Sequence, residues 1–175
     1  LRYLFPERKQ SNFSIGVSSM LQSSRNKGIE FLIPEYELAD VGAFFLAKKS
    51  YDKLDLSGGL RYDMRFQHGA ALFLDSNGIQ PTVANGTQLL FPEFYKSFSG
   101  ISGSIGFTYQ VSPLFITKLN FSKGYRAPNI AELASNGAHE GTLRFEKGNT
   151  KLKPESSYQT DLQLAFTAEH ISFEA

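Results

Sequence analysis

The stretch LDLSGGLRYDMRF, residues Leu54 to Phe66, places Leu54, Leu56, Leu60, Tyr62, Met64 and Phe66 on one side of an extended chain and Asp55, Ser57, Arg61, Asp63 and Arg65 on the other. A two-residue period held this long marks a β-strand with one apolar and one polar face. The same period returns in Ile101, Ile105, Phe107 and Tyr109 against Ser102, Ser104, Thr108 and Gln110, and in Phe115, Leu119, Phe121 and Tyr125 against Lys118, Asn120, Ser122 and Arg126. It appears again in Tyr158, Leu162, Leu164 and Phe166 against Gln159, Asp161 and Gln163, with weaker copies at Phe13, Ile15 and Val17 and at Val41, Ala43 and Phe45. The fold class expected from these runs is all-β.

Roughly eight strands are expected: Leu1 to Phe5, Phe13 to Leu21, Val41 to Lys48, Leu54 to Phe66, Phe98 to Val111, Phe115 to Arg126, Ser157 to Thr167, and Ile171 onward. The connections between them alternate in size. They are short at Pro6 to Asn12, Lys49 to Lys53, Ser112 to Leu114 and Ala168 to His170, and long at Gln22 to Asp40, Gln67 to Ser97 and Ala127 to Ser156. One end of the sheet is therefore trimmed and the other elaborated. This is the pattern of an antiparallel up-and-down outer-membrane barrel with tight periplasmic turns and long extracellular loops. A soluble sandwich has no reason to keep that alternation.

The polar face supports the same expectation. Facing lipid near mid-bilayer, Arg61 and Arg65 would each cost about 2–4 kcal/mol, which a marginally stable fold does not tolerate. They are expected to face a wet interior, leaving the apolar face to outer-membrane lipid. Its aromatics would form two belts, with Tyr62, Phe66, Tyr125 and Tyr158 at the long-loop end and Tyr3, Tyr51, Tyr109 and Phe166 at the other. At about 22 residues per strand the chain amounts to roughly a third of a 22-stranded barrel, a width that needs a plug. Residues 1–175 thus read as one partial barrel, a piece of something larger that opens and closes in half-strands.

Composition removes other classes. The longest apolar run is the seven-residue VGAFFLA at Val41 to Ala47, far short of a membrane-spanning helix. A formal net charge of +1, with basic residues scattered among acidic ones, gives no nucleic-acid footprint. There is no cysteine, hence no disulfide framework, thiolate metal site or Cys nucleophile. No Ser, His and Asp arrangement has its own supporting context, so no catalytic residue, enzyme activity or cofactor is expected. Asn12-Phe13-Ser14 and Asn120-Phe121-Ser122 fit the glycosylation pattern but fall in expected strands, and Asn85-Gly86-Thr87 would matter only in a eukaryotic secretory pathway. Asp75-Ser76-Asn77-Gly78 lacks the later Glu of a calcium loop and reads as an Asx turn.

The longest connection carries the most specific signal. About thirty residues join two strands where a hairpin needs two to five. Within it Ala127-Pro128-Asn129-Ile130-Ala131-Glu132-Leu133 reads as a stop followed by a short helix: Asn129 caps, Glu132 completes a capping box, and Gly137 ends the turn. Gly148-Asn149 is a tight-turn pair, and Pro154-Glu155 precedes the last long strand. GYRAPNIAEL, then NGAHEGT, then FEKGNTKLKPESS before a strand containing Asp161, resembles the C-terminal barrel signature of TonB-dependent receptors of the Gram-negative outer membrane. The likeness is strong over Ser97 to Phe166, with LIPEY, Asp40 and GGLRYDMR as weaker echoes.

That resemblance implies a 22-stranded barrel occluded by an N-terminal plug, importing a scarce small-molecule nutrient such as a siderophore, haem or metal. Energy would come from the TonB complex, acting through an N-terminal part that this chain lacks. It also implies that the motif residues Arg126, Pro128, Asn129, Glu132, Glu146, Gly148, Asn149, Pro154 and Glu155 are structural, pinning the loop to the barrel wall through charge pairs and turns. Substrate contacts are expected instead at His139 and Glu140, the pair with metal-ligand chemistry, with His68 at the mouth of the preceding long loop as a further candidate. His170 reads as a turn residue. A passive porin or adhesin barrel is the first alternative, and it should lack the RAPNIAEL to KPES series. A soluble carbohydrate-binding sandwich is the second, and it should bury Leu60, Tyr62 and Met64.

Overall fold

The computed structural model describes residues 1–27, 31–75, 88–139, 141 and 144–175. Along the chain these form β1 (Arg2–Leu4), β2 (Ser11–Ser24), β3 (Tyr36–Ser50), β4 (Leu54–Gly69), β5 (Leu72–Leu74), β6 (Gln88–Phe91), β7 (Phe94–Ser112) and β8 (Phe115–Arg126). Then come α1 (Ile130–Ala134), β9 (Asn136–His139), β10 (Arg144–Lys147), β11 (Glu155–Thr167) and β12 (Ser172–Glu174). One eight-stranded sheet runs in the order β1-β2-β3-β4-β7-β8-β11-β12, each strand antiparallel to its neighbour. It is an open arc in which β1 and β12 are the edges.

Register makes the two faces explicit. Leu60 lies opposite Phe45 and Gly103, and Tyr62 opposite Ala43 and Ile101, so one face carries a continuous apolar row. Asp63 lies opposite Gly42 and Gly100, and Arg61 opposite Phe44 and Ser102, on the other face. Among the described residues no second sheet covers the apolar side: Leu60 is 58% exposed, Tyr62 45% and Ile105 50%. A sandwich would bury them, and this wall presents them outward instead. The six long strands run from 12 to 19 residues, more than the 9–11 or so that a tilted crossing needs.

The connections keep the expected rhythm. Residues 5–10, 51–53, 113–114 and 168–171 are the short turns, and 25–35, 70–93 and 127–154 the long ones. The first turn tightens to a two-residue hairpin. Lys9 and Gln10 both take positive φ, at 48° and 56°, and Arg8 and Ser11 exchange both backbone bonds across it. That is the primed turn whose twist suits flanking strands.

Four strands were not expected. Two short hairpins, β5 with β6 and β9 with β10, stand inside the long connections as separate two-stranded sheets. They are three or four residues long, too short to show a period. The helix also stops before Gly137. Ser135 closes it with its N–H on the Ala131 carbonyl, while Gly137 belongs to β9 opposite Glu146. The Asn85-Gly86-Thr87 pattern and residues 76–78 of the Asx turn lie outside the described residues.

Candidate functional site

At the long-loop end, the inner face carries charges that are paired with one another. Arg65 grips Asp40 through both carboxylate oxygens, Nε to Oδ1 at 2.8 Å and Nη2 to Oδ2 at 2.7 Å, from directly opposite positions on β4 and β3. Arg61 binds Asp63 on its own strand and donates to Ser18 Oγ on β2 at 2.7 Å. A two-pronged guanidinium–carboxylate pair fixes orientation as well as charge. These pairs line an inner recess of about 400 Å³ with Ser18 and Tyr125.

Tyr125 departs from the outward belt expected for it. Its ring fills the space above Gly100, where a Cβ would sit 2.0–2.5 Å from ring carbons. Gly100 pairs with Asp63, so that space is on the inner face. Two features permit the turn inward. The pairing of β7 with β8 stops at Gly103–Lys123, so that Tyr125 is laddered only on its other side, to Ser156 of β11, and Gly100 leaves a hole beside Phe98. Tyr125 thereby joins a small core of Phe94, Phe98, Ala127, Ile130 and Leu133. Phe98 lies opposite Arg65, so this core, and α1 with it, is folded onto the inner face.

A polar tie holds the fold-over in place. Gln67, 3% exposed on the inner face at the long-loop end of β4, donates Nε2 to the Pro128 carbonyl at 2.8 Å, with Pro128 itself buried. Sequence reading passed over Gln67, although its parity with Arg61, Asp63 and Arg65 placed it inward just past the apolar band. Its partner lies 61 residues away, and no local pattern indicates that.

Arg126 links three segments. Its Nη1 donates to both Glu132 oxygens at 2.9 Å, and its Nε and Nη2 reach Glu155 Oε2 at 3.0 and 2.9 Å. Glu155 lies opposite Arg126 in the β8–β11 ladder, so the fork ties the wall to the start of the helix. Asn129 and Glu132 form the reciprocal capping box: Glu132 N–H donates to Asn129 Oδ1 at 2.9 Å and Asn129 N–H to Glu132 Oε2 at 2.8 Å. The Asn129 amide first, and then the Arg126 guanidinium, hold the Glu132 carboxyl below the usual glutamate range.

A depressed folded pKa stabilises above the unfolded value and loses that contribution as pH falls through the folded one. Hydrogen-exchange protection of the α1 amides is therefore expected to be full above about pH 5 and to fall below about pH 4. In Glu132→Gln, which keeps an acceptor oxygen without titrating, that dependence should disappear.

The remaining motif residues surround α1. Gly148 N–H donates to the Ser135 carbonyl at 2.6 Å and Asn149 N–H to the Glu132 carbonyl at 2.9 Å, closing the end of the helix from outside. A Cβ on Gly148 would come within 2.4–2.7 Å of backbone atoms of Leu133, Ala134 and Ser135, so only glycine fits. Asn149 Oδ1 accepts the Lys151 N–H at 2.9 Å, an Asx turn leading towards Pro154. Glu146 is exposed on β10. His139 ends β9 opposite Arg144, and Glu140 lies outside the described residues. His68 occupies the other side of the wall. It shares the parity of Phe66 and Tyr62, stacks on Tyr95 at 4.2 Å between centroids, and bonds Glu93 at 3.0 Å. His170 sits in the short 168–171 turn. Among the described residues no group of three or more His, Cys, Asp or Glu is gathered for a metal.

Residues 9–175 match the family model described as TonB dependent receptor-like, beta-barrel. The chain belongs to the TonB-dependent receptor family. Members of this family are outer-membrane β-barrels of Gram-negative bacteria. Two solved structures share the fold. One is a double mutant of the Serratia marcescens hemophore receptor HasR in complex with its hemophore HasA and heme, at 19% identity and TM-score 0.68 over 94% of this chain. The other is the copper transporter OprC, at 17% identity and TM-score 0.63 over 93% of this chain. The chain spans 28% and 26% of their lengths. No curated protein sequence matches it.

Proposed function

We propose that this TonB-dependent receptor chain supplies wall strands and extracellular loops of an outer-membrane importer for a scarce nutrient, either an iron chelate such as a siderophore or haem, or a metal. Energy would reach it from the TonB complex through a plug, in a barrel of 22 strands. The observation that carries this reading is the RAPNIAEL segment, folded over the wet inner face at the long-loop end and held there by Gln67 and Arg126. HasR with heme and OprC as a copper transporter support a metal-linked nutrient. His139 and Glu140 are the proposed metal or haem contacts at the mouth, and His68 stands apart on the outer face.

Uptake of a ferric siderophore, haem and copper by cells with and without the full receptor tests this. Entry of one of them is expected to require both the receptor and a working TonB complex. Entry that is indifferent to the TonB complex would favour a passive porin.

A further inference from the structure

A groove of about 610 Å³ interrupts the outward face of the sheet at the long-loop end of β2, β3, β4 and β7. Two cross-strand rows build it. Leu21, Ala39, Phe66 and Ser97 lie opposite one another in the first, and Ser23, Glu37, His68 and Tyr95 in the second. The short Ala39 side chain leaves the floor open between Leu21 and the Phe66 ring, both exposed. We propose that this groove binds a glycolipid of the outer leaflet, with an acyl chain over Ala39 and a sugar ring on Tyr95. Both rows share the parity of Leu60 and Tyr62, so the groove continues the face that meets lipid. Its polar row begins where the apolar band of β4 ends, at Phe66. An occupant must therefore be apolar towards the middle of the wall and polar towards the loops, which is the build of a lipid crossing the interface between hydrocarbon and water.

The rim suits a sugar better than a phosphate. The exposed Tyr95 ring lies flat on His68, with 4.2 Å between centroids and 4° between planes. Glu93 braces this plate, since its Oε1 accepts the Tyr95 hydroxyl at 3.0 Å and bonds His68 Nε2 at 3.0 Å. Little ordering is left for a ligand to supply. The electron-rich face of an aromatic ring takes the C–H side of a sugar, and carboxylates such as Glu37, opposite His68 in the ladder, accept its hydroxyls. Cations that a phosphate would need are engaged or turned away. Arg25 binds Glu37 at 2.9 Å and stands 3.7 Å from Glu35, while Lys96 lies opposite Gln67 on the inner parity. Behind the groove, Leu38 and Gln67 are buried and α1 is folded over the inner face, so the occupant enters from the bilayer and not with the imported solute.

The full receptor, folded into phosphatidylglycerol vesicles that also contain rough lipopolysaccharide, lipid A with its inner-core sugars, is extracted in mild detergent and weighed by native mass spectrometry. Lipopolysaccharide should stay bound in preference to phosphatidylglycerol, which has the acyl chains and the phosphate without the sugar. Ala39→Phe fills the floor and Tyr95→Ala removes the plate, and each should lower the retained lipopolysaccharide about fivefold or more, whereas Tyr95→Phe keeps it. Ile105→Phe, on the same outward face in the middle of β7, is the matched comparison and should change nothing. Retained strand content verifies the fold of every variant. Equal retention of phosphatidylglycerol, an unaffected Ala39→Phe or Tyr95→Ala, or an equal loss in Ile105→Phe would each overturn the proposal, leaving only the annulus of lipid that any outward face carries.

Discussion

Leu60→Arg is expected to destabilise the receptor wall in a bilayer by about 2–4 kcal/mol, whereas Ser104→Arg, one strand away on the inner face, should change stability by less than about 1 kcal/mol. Leu60 sits near the middle of β4, is 58% exposed, and shares its outward row with Phe45. A guanidinium there has hydrocarbon around it and no carboxylate within its row. Ser104 lies opposite Gly59 and Ser122, on the face that already carries Arg61, Asp63 and Arg65. Urea unfolding of the full receptor folded into lipid vesicles measures the difference. Equal costs at the two positions would mean that the apolar face is covered by protein, and the two-sided wall would have to be abandoned.

The alternation that sets up this contrast is readable without coordinates, because side-chain direction in a strand follows from parity alone. Leu54 to Phe66 gave the two faces correctly, and β8 runs over the expected Phe115–Arg126. Parity fails where β8 keeps a ladder partner on one side only. Tyr125 has the parity of Phe121 but lies past the last β7–β8 pair, and there its direction is decided by the hole at Gly100 and the neighbouring Phe98. The strands also extend beyond their apolar bands, β7 from Phe94 rather than Phe98 and β3 from Tyr36 rather than Val41, because ladder bonds continue into the loops without needing lipid-facing residues.

The loop was legible in its local chemistry and opaque in its long-range contacts. The capping box at Asn129 and Glu132 is a spacing of three residues, and it forms as the spacing suggests. The fork from Arg126 to Glu132 and Glu155 needs the ladder register that brings residues 29 apart in sequence into contact. Gln67 on Pro128 likewise depends on how α1 folds over the inner face, and no period encodes that. Local rules thus found the parts of the clamp, and topology alone joined them.

Gly148→Ala should open that clamp from the other side. The added methyl would sit 2.4–2.7 Å from the Ala134 and Ser135 nitrogens and the Leu133 carbonyl carbon, all backbone, and Leu133 is anchored in the core at 1% exposure. No flexible side chain can give way, so the turn after β10 must retreat, at a cost of about 1–3 kcal/mol to the local structure. Two amide bonds, Gly148 to Ser135 and Asn149 to Glu132, lengthen together. Hydrogen-exchange protection at Gly148 and Asn149 should collapse, and proteases should cut between residues 148 and 155, while the strand ladder stays protected. Gly124→Ala is the matched comparison: its methyl meets only the Ser157 hydroxyl at 2.7 Å, a group free to rotate, so protection should persist there. Wild-type protection in Gly148→Ala would mean that the turn yields without loss, in which case α1 is held by its apolar core, Arg126 and Gln67 without it.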